Sequence, residues 1–261
     1  MPVQFQNFDY TYQRNGKPVF APSPLGRQIG EDIKEQVEAK YQFDDFVFHL
    51  RKKGGHVAAL HSHRPHGYFA RVDIRRFFYS VARNRVQRAL ATIGIPRARH
   101  YAKWSCVKNP YDLPTYSLPY GFVQSPILAS LVLMESAVGS FLRGLVAENH
   151  VTVSVYMDDI SLSSDDLPRL QAAFNRLVHD LAEARFQVSP AKLRPPGPVM
   201  DLFNCDLRQG ETVVREERID LFEAEPQSHA SMEAFSHYCL SVEKGNTMPT
   251  GAAIGVGPTA A

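Results

Sequence analysis

Apolar positions along the chain recur in two rhythms, and the switches between them outline an α+β domain. Residues 10–20, YTYQRNGKPVF, are two β-prone runs around Asn15-Gly16, a strong hairpin signal. The Pro-rich stretch APSPLGRQ reads as a loop, and helical spacing takes over from Gly30 to Tyr41. A second helix is expected over 43–53, ended by Gly54-Gly55, and a third over 56–62. Residues 67–74, GYFARVDI, read as a buried strand that delivers Asp73 at its end. RRFFYSV then turns into an amphipathic helix, NRVQRALATIGI, with Val86, Leu90 and Ile93 on one face. Helical signals resume at 97–104, and a Pro- and Tyr-rich loop runs from 109 to 120.

Residues 125–147, SPILASLVLMESAVGSFLRGLVA, give the longest apolar helix, with Ser125 as N-cap and Pro126 in the first turn. VTVSVYM (151–157) and ISLSS (160–164) are strands joined by Asp158-Asp159, so two carboxylates sit in a hairpin turn. An amphipathic helix over 166–185 follows, then FQVS as a short strand, MDLFNCDL with TVVREERI as a last hairpin, and one helix within 226–243. The low-complexity tail, 245–261, is expected to be disordered. The expected architecture is α+β, with a small antiparallel sheet packed on helices.

Composition changes this picture little. The 261 residues, 44% hydrophobic and 21% charged, fit one large domain or two lobes around a cleft. No apolar run approaches the roughly 18 residues of a membrane span, and MPVQFQNFDYTYQRNGK lacks a signal peptide's layout. Cys106, Cys205 and Cys239 have no metal-like spacing, so free thiols and a cytoplasmic location are expected. Charge is more informative. The net +2 conceals ten Lys/Arg against the single acid Asp73 between Arg71 and Lys108, so that block carries +9 and the rest −7. Such a block beside a lone Asp suggests a polyanionic partner close to a metal site.

An Asp pair in a hairpin is commonly turn chemistry. Here Tyr156-Met157-Asp158-Asp159 lies between β-branched apolar runs, where adjacent charges are unfavourable without a cation. Phosphoryl transfer needs positioning and charge neutralisation more than covalent chemistry. Two magnesium ions held by carboxylates on adjacent strands supply both, and Asp73 with Asp158 and Asp159 satisfies that demand if the strands pair.

The YMDD turn resembles motif C of reverse transcriptases, and further motifs stand in family order. ARVDIRRFF resembles motif A, with Phe78 five positions after Asp73. LPYGFVQSPILASLVL resembles motif B, FQVSPAKL motif D, and LFNCDL the primer-grip motif E. NGKPVFAP before a helix resembles the start of the fingers, so the resemblance covers about residues 10–225. It implies a right-hand polymerase with fingers at 1–66 and a palm at 67–200 carrying a fingers insertion at about 82–118. A primer-grip hairpin at 201–225 and a strongly reduced thumb, one helix at 226–244, complete it.

By that resemblance Asp73 and Asp158 would ligate two Mg2+ ions, or Mn2+ in their place, with the Ile74 carbonyl on one ion and Asp159 in support. Phe78 would lie under the incoming sugar and exclude a 2′-hydroxyl, so that dNTPs are the substrate. Tyr120, Gly121, Gln124, Lys192, Arg71 and Lys17 complete the expected nucleotide contacts. Gly121 would let the backbone approach the nucleotide, and Lys192 would protonate pyrophosphate. Arg75, Arg76, Arg83, Arg85, Arg88, Arg99 and Lys103 would hold nucleic acid. Two departures stand out: Tyr120 replaces the family's Gln, and Gly16-Lys17-Pro18-Val19 lacks the fingers Arg, whose role falls to Lys17, Arg27 or Arg71.

The expected short thumb and the lack of room for an RNase H domain leave a duplex poorly gripped. A structured non-coding RNA acting as template and scaffold, a partner protein or further copies of the chain would then hold it, and the product is DNA. Compact enzymes of this kind resemble bacterial retron-like and defence-associated "unknown group" reverse transcriptases, which often limit phage. The alternatives are an RNA polymerase or template-independent nucleotidyl transferase on the same palm, and an inactive RNA-binding scaffold.

Overall fold

The computed structural model describes residues 5–52 and 55–247. Strands β1 (Phe8–Arg14) and β2 (Lys17–Pro22) make the first hairpin, turned by Asn15 and Gly16 at φ 50° and 68°. Helix α1 (Pro24–Lys40) follows directly. APSPLGRQ is therefore no loop: Ser23 caps the Gly26 N–H and Pro24 opens the first turn. The helix expected over 43–53 also fails to form. Phe48–Leu50 makes one 3-10 turn, and Val47 is drawn into a bridge with Val155. Gly54, the expected stop, lies outside the described residues, as does most of the expected tail.

Helix α2 (His56–His63) leads into β3 (Tyr68–Asp73), the turn-like α3 (Phe77–Ser80), α4 (Arg83–Thr92) and α5 (Ala98–Trp104). The short pair β4 (Val107–Lys108) and β5 (Tyr116–Ser117) flanks the Pro-rich loop. The long apolar helix is in fact two, α6 (Ser125–Met134) and α7 (Ala137–Glu148), bent by 71°. Ser136 caps α7, accepting the Val138 N–H, and this breaks the run. Ser125 is no cap; it lies inside α6 with its hydroxyl buried and unpartnered. No single helix among the described residues is long and apolar enough to cross a membrane.

Then come β6 (Thr152–Tyr156), β7 (Asp159–Ser164), α8 (Leu167–Glu183) and β8 (Arg194–Gly197). Strands β9 (Met200–Leu202), β10 (Cys205–Arg208) and β11 (Glu211–Val214) form a second sheet where one hairpin was expected. FQVS is no strand beyond a single Val188–Ile74 bridge. Helices α9 (Glu216–Glu223) and α10 (His229–Glu243) follow, where one helix was expected, and of the two only α10 buries a residue, Val242.

The central sheet is antiparallel, in the order β6-β7-β3-β8. Its period-2 alternation sends Ala70, Val72, Ile160 and Leu162 into the main core with α1, α4, α6, α7 and α8. Phe69, Arg71 and Asp73 on β3 are directed to the other face, toward the second sheet; Phe69 packs there with Leu60, Met200, Leu202 and Leu207. That face also carries Ser161 and Ser163 of β7, and α2 covers part of it with buried His63, which bonds Ser154 and Ser163 at 2.7 and 2.8 Å.

Candidate active site

The β3–β7 register sets the site. Asp73 stands opposite Asp159 at the strand ends, and the Ile74 N–H donates to the Asp158 carbonyl at 2.8 Å. Tyr156 pairs with Asp159, so Met157 and Asp158 form a two-residue turn, with Met157 at φ 56°. The turn is fastened from the other side by His49. Its Nδ1 accepts the Met157 N–H at 3.1 Å, and its Nε2 lies 2.9 Å from Ser130 Oγ, whose own proton goes to the Pro126 carbonyl. One neutral tautomer satisfies both contacts, and burial holds the ring's pKa down to about 4.

Three carboxylates at one sheet end repel. Burial, then Asp159 and Asp73, push the Asp158 carboxyl up to about 6. Asp159 is raised by burial and partly relieved by Arg71, whose Nε donates to it at 2.7 Å. Arg71 also meets Asp201, which takes a 2.6 Å bond from Arg194. Asp73 is buried and accepts a 2.7 Å bond from Lys192. Burial alone would lower the Lys192 pKa, but the bond it donates to Asp73 and the nearby carboxylates raise it. Asp158, among the described residues, has no cationic partner within salt-bridge distance. Asp73 is buried, and Asp158 and Asp159 are half-buried. Carboxylate oxygens are the donors that hard divalent cations such as Mg2+ favour, but no three His, Cys, Asp or Glu side chains among the described residues are grouped as a metal site.

The family model for reverse transcriptase (RNA-dependent DNA polymerase) matches residues 14–195. The chain belongs to the reverse transcriptase family. Its fold is similar to the foamy viral protease-reverse transcriptase dRH in complex with ds DNA, with TM-score 0.51 and 14% identity over 86% of this chain and 34% of that one. The foamy viral protease-reverse transcriptase in complex with RNA/DNA hybrid gives TM-score 0.50 and 15% identity over 87% and 26%. The chain thus spans about a third or less of those proteins. No curated protein matches it. The mixed helices and antiparallel sheet are those of reverse transcriptase fingers and palm.

On this reverse transcriptase fold the other expected residues separate into groups. Tyr120 packs its ring on Phe78 at 4.8 Å with the Lys17 ammonium 5.2 Å from its centroid, and burial with nearby Asp158 raises its pKa. Phe77 and Phe78 share the α3 turn, and both are buried. Gly121, at φ 102°, meets a requirement within the protein, since a Cβ would strike the Phe20 carbonyl. Gln124 is 1% exposed, bonded weakly to Ser105 and packed on Gly30. Arg71 bonds Asp159 and Asp201 at the end of the sheet.

The basic block divides in two. Arg75, Arg76, Arg85 and Arg88 line one cavity, whereas Arg99 and Lys103 sit on α5, with Lys103 over Phe5, and Arg83 stacks on Tyr116. Sequence reading missed His49, Asp201 and Arg194. Their roles depend on tertiary approach: His49 reaches Met157 and Ser130, and Asp201 meets Arg71 and Arg194.

Proposed function

We propose that the chain is an RNA-directed DNA polymerase that joins dNTPs by two-metal nucleotidyl transfer. The observation that carries this reading is the register placing Asp73 opposite Asp159, with Asp158 in the adjoining turn and charge-frustrated. Asp73 and Asp158 would hold the two Mg2+ (or Mn2+) ions, with the Ile74 carbonyl and Asp159 in support. The ions would activate the primer hydroxyl and neutralise the leaving phosphates.

The chain's own residues do the rest. His49 fixes the turn that presents Asp158, and Arg71 orients Asp159. The Phe78–Tyr120 contact would form the floor for the sugar and would exclude a 2′-hydroxyl. Lys17 would approach the phosphates over Tyr120, and Lys192 would carry a proton to pyrophosphate.

A fingers (1–66) and palm (67–200) division suits this reading, with the second sheet as primer grip and α9 and α10 as a small thumb. Because those two helices bury only Val242, a structured non-coding RNA, serving as template and scaffold, would hold the duplex. An anti-phage setting rests on the resemblance of the motif set to compact bacterial reverse transcriptases. The test is labelled dNTP against NTP incorporation with Mg2+ on the nucleic acid that co-purifies, beside Asp158→Asn. Mutant-sensitive DNA complementary to one bound RNA is expected; carboxylate-independent product would overturn the assignment.

A further inference from the structure

A cavity of ≈ 1090 Å3 opens beside, and apart from, the carboxylate site. It lies between the turn after β3, the start of α4, the 109–114 loop and the C-terminal end of α8. None of Asp73, Asp158 and Asp159 lines it. Backbone bonds from Arg75 N to Gln187 O and from Ser189 N to Asp73 O, with the Ile74–Val188 bridge, stitch the main chain together where the two sites adjoin.

Five arginines line this cavity and no acid does: Arg75, Arg76, Arg85, Arg88 and Arg185. Among the described residues none of the five pairs with a carboxylate, although Asp112 and Glu183 are close in sequence. Two are held rigidly, Arg76 over the Tyr111 ring at 3.5 Å and Arg85 over Phe186 at 4.2 Å. Arg85 Nη1 is buried without a hydrogen-bond partner, and burial with neighbouring Arg88 lowers that guanidinium's pKa to about 10. Arg76 and Arg185 both occupy positive φ, 52° and 58°, where long side chains are rare. Like charges gathered at such positions, with a buried donor unmet, are a fold-level cost that an anion offsets.

We infer that this cavity binds a run of phosphates from a single strand of nucleic acid, a second anchoring site distinct from the site of chemistry. The inference rests on the proposed reading only in taking nucleic acid as the working partner. Guanidinium forks suit phosphate oxygens bidentately, and five cations suit several successive phosphodiesters. The walls come from four segments, and a flexible single strand follows such an irregular outline more readily than a straight duplex does. The volume is at or above the roughly 300–1,000 Å3 of small-ligand pockets, which favours an extended ligand.

The test is fluorescence anisotropy with a labelled 12-nucleotide single-stranded RNA over a salt series, using wild type, Asp158→Asn and Arg75→Gln/Arg88→Gln. Both substituted arginines are exposed, and thermal unfolding checks that the fold is kept. The double variant is expected to weaken binding at least 10-fold and to flatten the log K against log salt slope by about 1.4. Phenylglyoxal labelling read by mass spectrometry should show RNA protecting Arg76, Arg85 and Arg185, in Asp158→Asn as in wild type. Unchanged affinity and slope, or absence of protection, overturns the inference. Equal protection by inorganic triphosphate at matched phosphate concentration also overturns it, assigning the cavity to a free polyphosphate. Protection that persists in a protein unable to incorporate dNTPs separates failure of the polymerase reading from failure of this one.

Discussion

His63 ties the β6–β7 hairpin to the fold, and its titration gives a sharp test of the packing described. The ring is fully buried under the sheet face, bonded through Nδ1 to Ser163 and through Nε2 to Ser154, one on each strand of the hairpin that carries Asp158. Burial, with a smaller contribution from neighbouring His66, lowers its pKa from 6.5 to about 3. His66 itself bonds Thr152 and faces Asp165. Between those two values the unfolded chain binds a proton that the folded chain refuses. Stability is therefore complete above pH 6.5 and falls as pH drops toward 3. At about 1.36 kcal/mol per pH unit the full loss is roughly 5 kcal/mol, and about 2 kcal/mol of it has gone by pH 5.

Urea unfolding followed through Trp104, the single tryptophan and itself buried, measures this directly. Carboxylates elsewhere also titrate, so the informative quantity is the difference between wild type and His63→Gln across pH. The variant should be less stable at pH 7 by about 1–3 kcal/mol, because one serine loses its partner. Wild type should then lose about 2 kcal/mol more than the variant between pH 7 and pH 5. Parallel pH profiles, or an imidazole resonance of His63 that titrates near neutrality in the folded protein, would refute the argument.

Four further outcomes follow from the same contacts. His49→Ala leaves the Met157 N–H unpaired at a positive φ; dNTP incorporation should drop about 10-fold or more, with partial rescue in His49→Gln, while equal rates would remove its positioning role. Gly121→Ala drives a Cβ into the Phe20 carbonyl at φ 102°, so the urea midpoint should fall by the equivalent of at least about 2 kcal/mol. Arg71→Met strands Asp159 and weakens the hold on Asp201, destabilising by about 3–5 kcal/mol in thermal or urea unfolding. Asp158→Asn relieves a buried, mutually repelling carboxylate, so in metal-free buffer its melting temperature should rise while dNTP incorporation is lost.

Much of this fold was legible because local signals and tertiary demands agree. Asn15-Gly16 turned the first hairpin, GYFARVDI formed the strand ending in Asp73, and the YMDD turn closed between alternating strands. The misses share a cause: one residue with two meanings. Ser23-Pro24 reads as loop by composition but is a helix cap and first turn. Ser136 reads as a tolerated polar residue in an apolar helix but caps a second one. Residues 43–53 have helical composition, yet Val155 recruits Val47 as an extended neighbour. Pro195 and Pro196 argue against a strand, but β8 lies at the sheet edge, where a missing N–H is harmless. Asp73, Asp158 and Asp159 were legible as a set because like charges at strand ends need a reason. His49 was not, because its partners Ser130 and Met157 are far away in sequence.

The spacing of charge along β3 and its turn bears on how such a site meets a polyanion. Three carboxylates at one sheet end present a negative field to any phosphate chain, and Arg71 and Lys192 answer only part of it. The next two residues after Ile74 are Arg75 and Arg76, and α4 adds Arg85 and Arg88 around the same cavity. One short segment thus carries both the acid that suits a metal ion and the cations that attract a strand. Opposite fields so close together screen each other at long range yet stay distinct at contact distance. Neutralising the arginines would therefore expose the carboxylates' repulsion as well as remove an attraction. For that reason the arginine double variant should lose more RNA affinity in wild type than in Asp158→Asn, a non-additivity that two independent sites would not produce.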